Sequence, residues 1–268
     1  MKSRSVYLII PLLLAPNMYA STVNVALGTA NLFAVLGGTA VSNSGLSIIN
    51  GNLGLWSGTS ITGFTPGSVN GMINATDATA MQAQMDLTSA YNVAAGQPCG
   101  GVLTGQNLGG QTLTAGVYCF ASSAQLTGTL TLDAEGNSNA VFIFQIGGTL
   151  TTASSSQVTV INGGTGSSVF WQVGNSATLG TESQFAGSIL ALSNITLGTG
   201  ADISCGRALA LNGAVTLDTN LVSMASLGCS AGPIGVPEPG TASLVSMSLI
   251  LGLLGCLCSR RAAPYLLK

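Results

Sequence analysis

The chain of 268 residues contains no histidine. That removes the usual general base, the Ser-His-Asp and Cys-His catalytic arrangements and the commonest zinc ligand. Charge is nearly as scarce, since Asp, Glu, Lys and Arg together make up 5% of the residues, against about a quarter in an ordinary globular domain. Lys2 and Arg4 open the sequence and Arg260, Arg261 and Lys268 close it, so Arg207 is the only basic residue between positions 21 and 236. The same span holds Asp77, Asp86, Asp133, Glu135, Glu182, Asp202 and Asp218, seven acids against one base and a net charge of -6. A nucleic-acid partner requires clustered cations to displace counterions, so that class is excluded. Low charge with low apolar content would mean disorder, but the hydrophobic fraction is 47% and strand patterning is extensive. The chain can build a core.

What is abundant is Gly, Thr, Ser, Ala and Leu, and these residues fall into a repeat. From residue 176 one phrase returns three times, as SATLGTESQFAGSILALS, NITLGTGADISCGRALAL and NGAVTLDTN, the first two copies each 18 residues long. Their shared part runs Thr178-Leu179-Gly180-Thr181, Thr196-Leu197-Gly198-Thr199 and Thr216-Leu217-Asp218-Thr219. A short fixed period marks a solenoid in which each turn buries its apolar face only against its neighbours. So short a turn excludes most helix-pair repeats, and its β-branched residues favour strands. Three short strands per turn, a β-helix, is the expected architecture. Leu179, Leu197 and Leu217 are read as its core rungs. Val141 to Ile146, Val169 to Val173, Ser188 to Leu192 and Arg207 to Leu211 alternate at period two, one row of large side chains inside and one outside.

Read in order, residues 1–20 have the form of a secretory signal, with basic Lys2 and Arg4, an apolar core from Val6 to Ala15 and small Ala20. Residues 21–232 form the body. Leu27 to Gly71 are Gly-punctuated short strands, expected to make one and a half irregular coils at one end. Residues 75–95 are the one convincing helix: Asn74 is placed to cap it, Asp77 to complement its dipole, and Gly96 with Pro98 to stop it. Its apolar side is Ala83, Leu87, Ala90 and Ala94, flanked by Met81, Met85 and Tyr91, and is read as packing along one face of the coil. An exported chain meets an oxidising compartment, so Cys99 with Cys119 and Cys205 with Cys229 are plausible bridges, although four cysteines allow three connectivities. Cys256 and Cys258 lie in an apolar tail.

Residues 233–241 form a linker containing VPEPG. Residues 242–258 are apolar and small, at the short limit for a membrane span, and residues 259–268 carry the basic flank expected on the cytoplasmic side. This tail resembles the PEP-CTERM sorting signal of Gram-negative exported proteins. The resemblance implies recognition of Pro237, Glu238 and Pro239 by a membrane protease, transient anchoring in the inner membrane, and release to the cell surface or beyond.

The helix insertion, the paired phrases VFIFQIGGTLTT (141–152) and VFWQVGNSATLGT (169–181), and GRALALNGAVTLDTN (206–220) resemble the ice-binding-protein family of secreted microbial β-solenoids. The resemblance runs from about Val23 to Val222. It implies an all-β fold, a right-handed, discontinuous β-helix of triangular section with one long α-helix along a side. It also implies that an ice crystal surface is the partner, met by a flat face bearing T-A/G-x-T/N steps. The residues falling in that column are Thr127 and Thr129, Thr152 and Ser154, Thr181 and Ser183, and Thr199 and Ala201. Thr104-Gly105-Gln106-Asn107 fits the pattern outside the regular stack. Leu130, Ser155, Gln184 and Asp202 depart from it in the Thr/Asn place and Glu182 in the small-residue place; a carboxylate there keeps its hydration and disturbs an ordered water layer.

No enzyme activity, cofactor or metal is expected, and the chain is expected to be a monomer. A carboxylate pair on the coil is conceivable from Glu182, Asp202 and Asp218, but lone acids on stacked turns are usually surface. Trp171, Phe142, Phe144 and Phe170 are read as packing, and Asp133 and Glu135 as a solvated loop. The competing function is a non-catalytic structural or adhesion protein of the cell surface or biofilm matrix.

Overall fold

A computed structural model of the chain describes residues 25–224, which all belong to one compact unit. The signal sequence, Cys229, the linker with Pro237, Glu238 and Pro239, the apolar span and the basic tail lie outside the described residues. Among the described residues no helix is long and apolar enough to cross a membrane.

The body is a stack of parallel strands gathered in a 15-stranded sheet and a 7-stranded sheet, plus one long helix. Each coil contributes strands on three sides. The large sheet supplies two of them, because the strands Gln184–Ala191 and Asp202–Ala210 each run round a corner. The bends sit at Gly187 (φ 104°) and Cys205 (φ 56°). A Cβ on Gly187 would lie 2.7 Å from the Val169 carbonyl oxygen, so both φ and space require glycine there.

Residues 33–69 complete two coils, rather than the expected one and a half, and they stack on the last coil of the chain. Val35 pairs with Ala208 and Leu36 with Leu209 on one side of the strand Phe33–Gly37, and Leu36 pairs with Gly54 on the other. The first coils therefore cap the C-terminal end of the repeat.

Strand alternation fills the interior. Leu179, Leu197 and Leu217 are buried, as expected. An aromatic row runs through neighbouring coils: Tyr118 stacks on Phe144 (5.6 Å), Phe144 on Trp171 (4.0 Å), and Trp171 tilts against Phe185 (4.8 Å). The buried Trp171 indole N–H donates to the Ala186 carbonyl at 3.0 Å. Phe144, Trp171 and Phe185 are core, Tyr118 packs half-buried against them, and Phe170 instead faces the helix.

The helix spans Ala78–Ala95. Its start differs from the expectation: Asp77, not Asn74, is the cap, accepting the Ala80 N–H at 2.8 Å, while the Asn74 amide donates to the other Asp77 oxygen at 2.7 Å. Asn74 lies in the strand Ile73–Ala75, so Asp77 takes the cap position, where its charge also meets the positive end of the helix dipole. Ala83, Leu87, Ala90 and Ala94 are buried against Phe33, Leu36, Ile143, Phe170, Leu190 and Leu209. Gln84 adds a polar bolt, donating to the carbonyls of Gly37 (2.9 Å) and Ala210 (3.1 Å). Gln145 does the same at the other end, donating to Ala94 and Gln97 carbonyls at 2.8 Å each.

Arg207 is buried on this side, held by the Asn31 carbonyl and side chain and by the Ser188 hydroxyl. Burial pushes its pKa down to about 10, so it stays charged at neutral pH. Its hydrogen bonds to Asn31 and Ser188 compensate the lost hydration.

Candidate functional site

The 7-stranded sheet forms the third side of the coils, and the helix packs on strands of the large sheet. Its strands are, in spatial order, Ala124–Leu126, Leu150–Thr152, Ala177–Leu179, Ile195–Leu197, Val215–Asp218, Ala40–Ser44 and Ser60–Thr62. In Ala124–Leu126, Ala177–Leu179, Ile195–Leu197 and Val215–Asp218 an apolar residue points inward on either side of one outward residue; Thr152 and Asn43 take one inward place in their strands, and in Ser60–Thr62 Ile61 is the inward residue. The pairing puts those outward residues in a single row: Gln125, Thr151, Thr178, Thr196, Thr216, Ser42, Thr62. With strands ~4.8 Å apart, seven rungs span about 29 Å. The Ser42 hydroxyl donates to Thr216 at 3.4 Å. Among the described residues, the hydroxyls of Thr151, Thr178, Thr196 and Thr62 have no protein partner.

On one flank the polar groups are tied together. The Thr149 hydroxyl donates to Ser123 at 2.9 Å, and the Asn194 side-chain oxygen accepts the Ala214 N–H at 2.8 Å. The other flank is the corner leading to the next side of the coil. Here a left-handed residue recurs in every turn, at Ser155 (φ 55°), Glu182 (φ 57°), Gly200 (φ 69°) and Thr219 (φ 56°). Their N–H groups bond up the stack, Ser155 to the Thr181 carbonyl (2.8 Å), Glu182 to Thr199 (3.0 Å) and Gly200 to Asp218 (3.1 Å). The residues just before them, Ser154, Thr181 and Thr199, are exposed and stand in one column. The Thr199 hydroxyl is spent within it, donating to Asp218 at 2.5 Å.

Three of the sequence-derived site residues are corrected by this geometry. Thr152, Ser183 and Ala201 are 3%, 0% and 0% exposed and cannot meet an external surface. A left-handed corner turns carbonyls inward, and buried polar side chains must satisfy them. The Ser183 hydroxyl hydrogen-bonds to Gly180 (2.7 Å), Ala153 (3.1 Å) and Thr152 (2.9 Å), while Thr152 accepts the Gly180 N–H at 2.8 Å. One coil on, Asn220 donates to the carbonyls of Gly198 and Ala201, both at 2.8 Å. Ala201 has no polar group, and Asn220 serves its corner.

Thr127 and Thr129 are exposed but divided. Thr127 follows the strand Ala124–Leu126 at the rim of the small sheet. Thr129 pairs with Gln157, in a row that continues through Gln184 to Asp202 on the adjoining side. The carboxylates of concern are likewise peripheral. Glu182 occupies the corner; Asp202 accepts the Leu221 N–H at 2.8 Å on the adjoining side; Asp218 sits at the rim. None interrupts the threonine row.

That row was missed in the sequence, although its signal was present. Once Leu179, Leu197 and Leu217 are assigned inward, period-two alternation turns Thr178, Thr196 and Thr216 outward. The T-A/G-x-T/N pattern led instead to the corner, where a left-handed residue breaks the alternation.

The family described as Ice-binding-like matches the chain over residues 35–223. An ice-binding protein of Nostoc sp. (strain HG1) is 55% identical over 228 residues, 85% of this chain and 84% of its own. The crystal structure of an ice-binding protein from an Antarctic biological consortium superposes with a TM-score of 0.74 at 44% identity, covering 81% of this chain and 96% of that one. That of an antifreeze ice-binding protein from an Arctic yeast gives 0.72 at 31% identity, over 80% and 98%. In strand content, parallel pairing and the single helix the fold matches these structures, and the chain belongs to the ice-binding protein family.

Proposed function

We propose that this chain adsorbs to ice through the row Thr151, Thr178, Thr196, Thr216, Ser42 and Thr62, and so restrains crystal growth and recrystallisation. The observation that carries the reading is the row of hydroxyls in register on one parallel sheet, of which those of Thr151, Thr178, Thr196 and Thr62 have no protein partner among the described residues. Each threonine presents a methyl group that holds water at a distance and a hydroxyl that tethers it. The strand spacing sets the repeat of this array. The backbone is already ordered, so docking sacrifices little entropy and many weak contacts add up. Ser154 and Thr181 at the corner extend the surface, with Thr127 and Thr199 as rim contacts. The chemistry requires no catalysis, cofactor or metal.

The test is adsorption of the purified protein to polycrystalline ice together with a recrystallisation assay. Thr178→Tyr and Thr196→Tyr place bulk in the middle of the row and are expected to abolish both readouts with unchanged circular dichroism. Wild-type activity in both variants would refute the assignment.

The same reading includes export by residues 1–20, a right-handed coil, and a monomer in solution. It also includes a PEP-CTERM-type tail in which residues 242–258 anchor the chain in the inner membrane until a protease acts near Pro237, Glu238 and Pro239. The support is the order of basic, apolar and small segments in the sequence. Cell fractionation of a strain carrying Glu238→Ala checks it: accumulation in the membrane fraction is expected, and unaltered release would count against the tail's role.

A further inference from the structure

Away from the threonine row, a groove of about 290 Å³ opens between the helix and the corner that joins the helix-covered side to the small sheet. The volume lies near the ~300 Å³ lower bound for ligand pockets, enough for a small part of a longer molecule. Its floor is Gln84, immobilised by the two carbonyls it bridges. Around it stand Trp56, Met81, Met85, Thr39, Ser57 and Asn212.

The two tryptophans of the chain are used differently. Trp171 is buried with its indole N–H satisfied. Trp56 is half-buried, and among the described residues its indole N–H has no protein partner. The same holds for the side chains of Thr39, Ser57 and Asn212, all exposed. Equivalent corners elsewhere behave otherwise: Ser123 and Thr149 bond each other, and Asn194 accepts from Ala214. Met81 and Met85 are 38% and 58% exposed and face solvent from the helix. No charged side chain lines the groove.

An aromatic surface, adaptable thioethers and a ring of uncharged donors and acceptors suit a ligand with one apolar face and a rim of hydroxyls. The absence of cations disfavours phosphates and uronates, and the absence of carboxylates disfavours amines. We infer that this groove is a binding site for a neutral hexopyranose, one ring of a polysaccharide resting against Trp56 with its hydroxyls met by Thr39, Ser57 and Asn212. The protein would then hold a glycan by one side and ice by another.

The test uses the full chain in a polyoxyethylene detergent, whose headgroup carries no sugar. Cellotetraose, maltotetraose, laminaritetraose and mannotetraose are titrated while tryptophan fluorescence and the two indole N–H resonances are followed. At least one sugar is expected to shift the Trp56 signals saturably, with Kd on the order of 1 mM, and to leave Trp171 unmoved. Trp56→Leu is expected to weaken binding at least tenfold. Asn212→Ala, which leaves the tryptophan in place, is expected to weaken it several-fold and keeps the test decisive if the first variant does not fold. No shift with any of the four sugars, or binding that survives both variants, overturns the proposal. Recrystallisation inhibition by Asn212→Ala is expected to equal wild type, so failure here and failure of the ice assignment are separable.

Discussion

Two hydroxyl residues only a few positions apart can do opposite jobs in this coil. Thr178 points out with its hydroxyl unpartnered, and Ser183 is fully buried, serving the carbonyls of Gly180 and Ala153. Ser183→Val should therefore cost about 1–3 kcal/mol, because it leaves buried polar groups unsatisfied. Thr178→Val keeps the volume and the methyl group and should change stability by less than about 0.5 kcal/mol. Urea unfolding of the two variants measures the contrast, and the ice assay should show the reverse order, with Thr178→Val impaired. Equal stability losses would mean that the corner is hydrated or rearranged. The sequence contained half of this distinction. Alternation identifies Thr178, and it also turns Thr152 inward in register with Leu126, whereas Ser183 follows the left-handed Glu182, at which the alternation resets. Nothing in a Ser or Thr letter says on which side of such a turn it falls. Only the inward carbonyls, a product of the three-dimensional corner, decide it.

The helix was legible as an element because its small and apolar residues recur at helical spacing, and Ala83, Leu87, Ala90 and Ala94 are all buried. Its cap was not, since Asn74 and Asp77 are both good caps and only the path of the preceding strand Ile73–Ala75 selects the later one. Two carboxylates tie the helix down. The Ala80 N–H bonded to Asp77 and the Thr29 N–H bonded to Asp86 are the main causes that hold both acids below the ordinary carboxylate value of 3.8. Each therefore binds a proton more weakly when folded than when unfolded. Their stabilisation is complete above the unfolded pKa and is lost as pH falls through the folded one. The melting temperature should hold level between about pH 8 and 5 and fall below about pH 4. Asp77→Asn with Asp86→Asn should flatten that acid limb in a calorimetric series; an unchanged limb would assign it to other groups. At neutral pH, Asp77→Ala should cost about 1 kcal/mol, or about 2–4 °C in a domain of this size.

Across the whole molecule, a stack of coils in which each touches only its neighbours is stabilised locally, and its ends are its weak points. The 18-residue phrase made the stack legible. It did not reveal that Phe33–Gly37 pairs with the distant strand Asp202–Ala210, because that contact joins phrases of different sequence, and a period reports only like against like. One end of the large sheet is the pair Gly101–Val102 and Gly116–Phe120, where Cys99 and Cys119 form a disulfide at a sequence separation of 20. The expected bridge is present there. Cys205 is also disulfide-bonded, but Cys229 lies outside the described residues. Closing a loop of that length removes about 3 kcal/mol of unfolded-state freedom in the chain-entropy account. In a nearest-neighbour stack this stabilisation should act on the end coil first. Cys99→Ser with Cys119→Ser should raise hydrogen exchange sharply over residues 99–120 while leaving the strands Val169–Val173 and Ile195–Leu197 protected. The central threonines Thr178 and Thr196 belong to that protected region, so ice adsorption near 0 °C should survive the loss of the bridge. Uniform deprotection along the coil, or loss of adsorption with it, would show instead that the stack unfolds as one cooperative body and that its binding face depends on both ends.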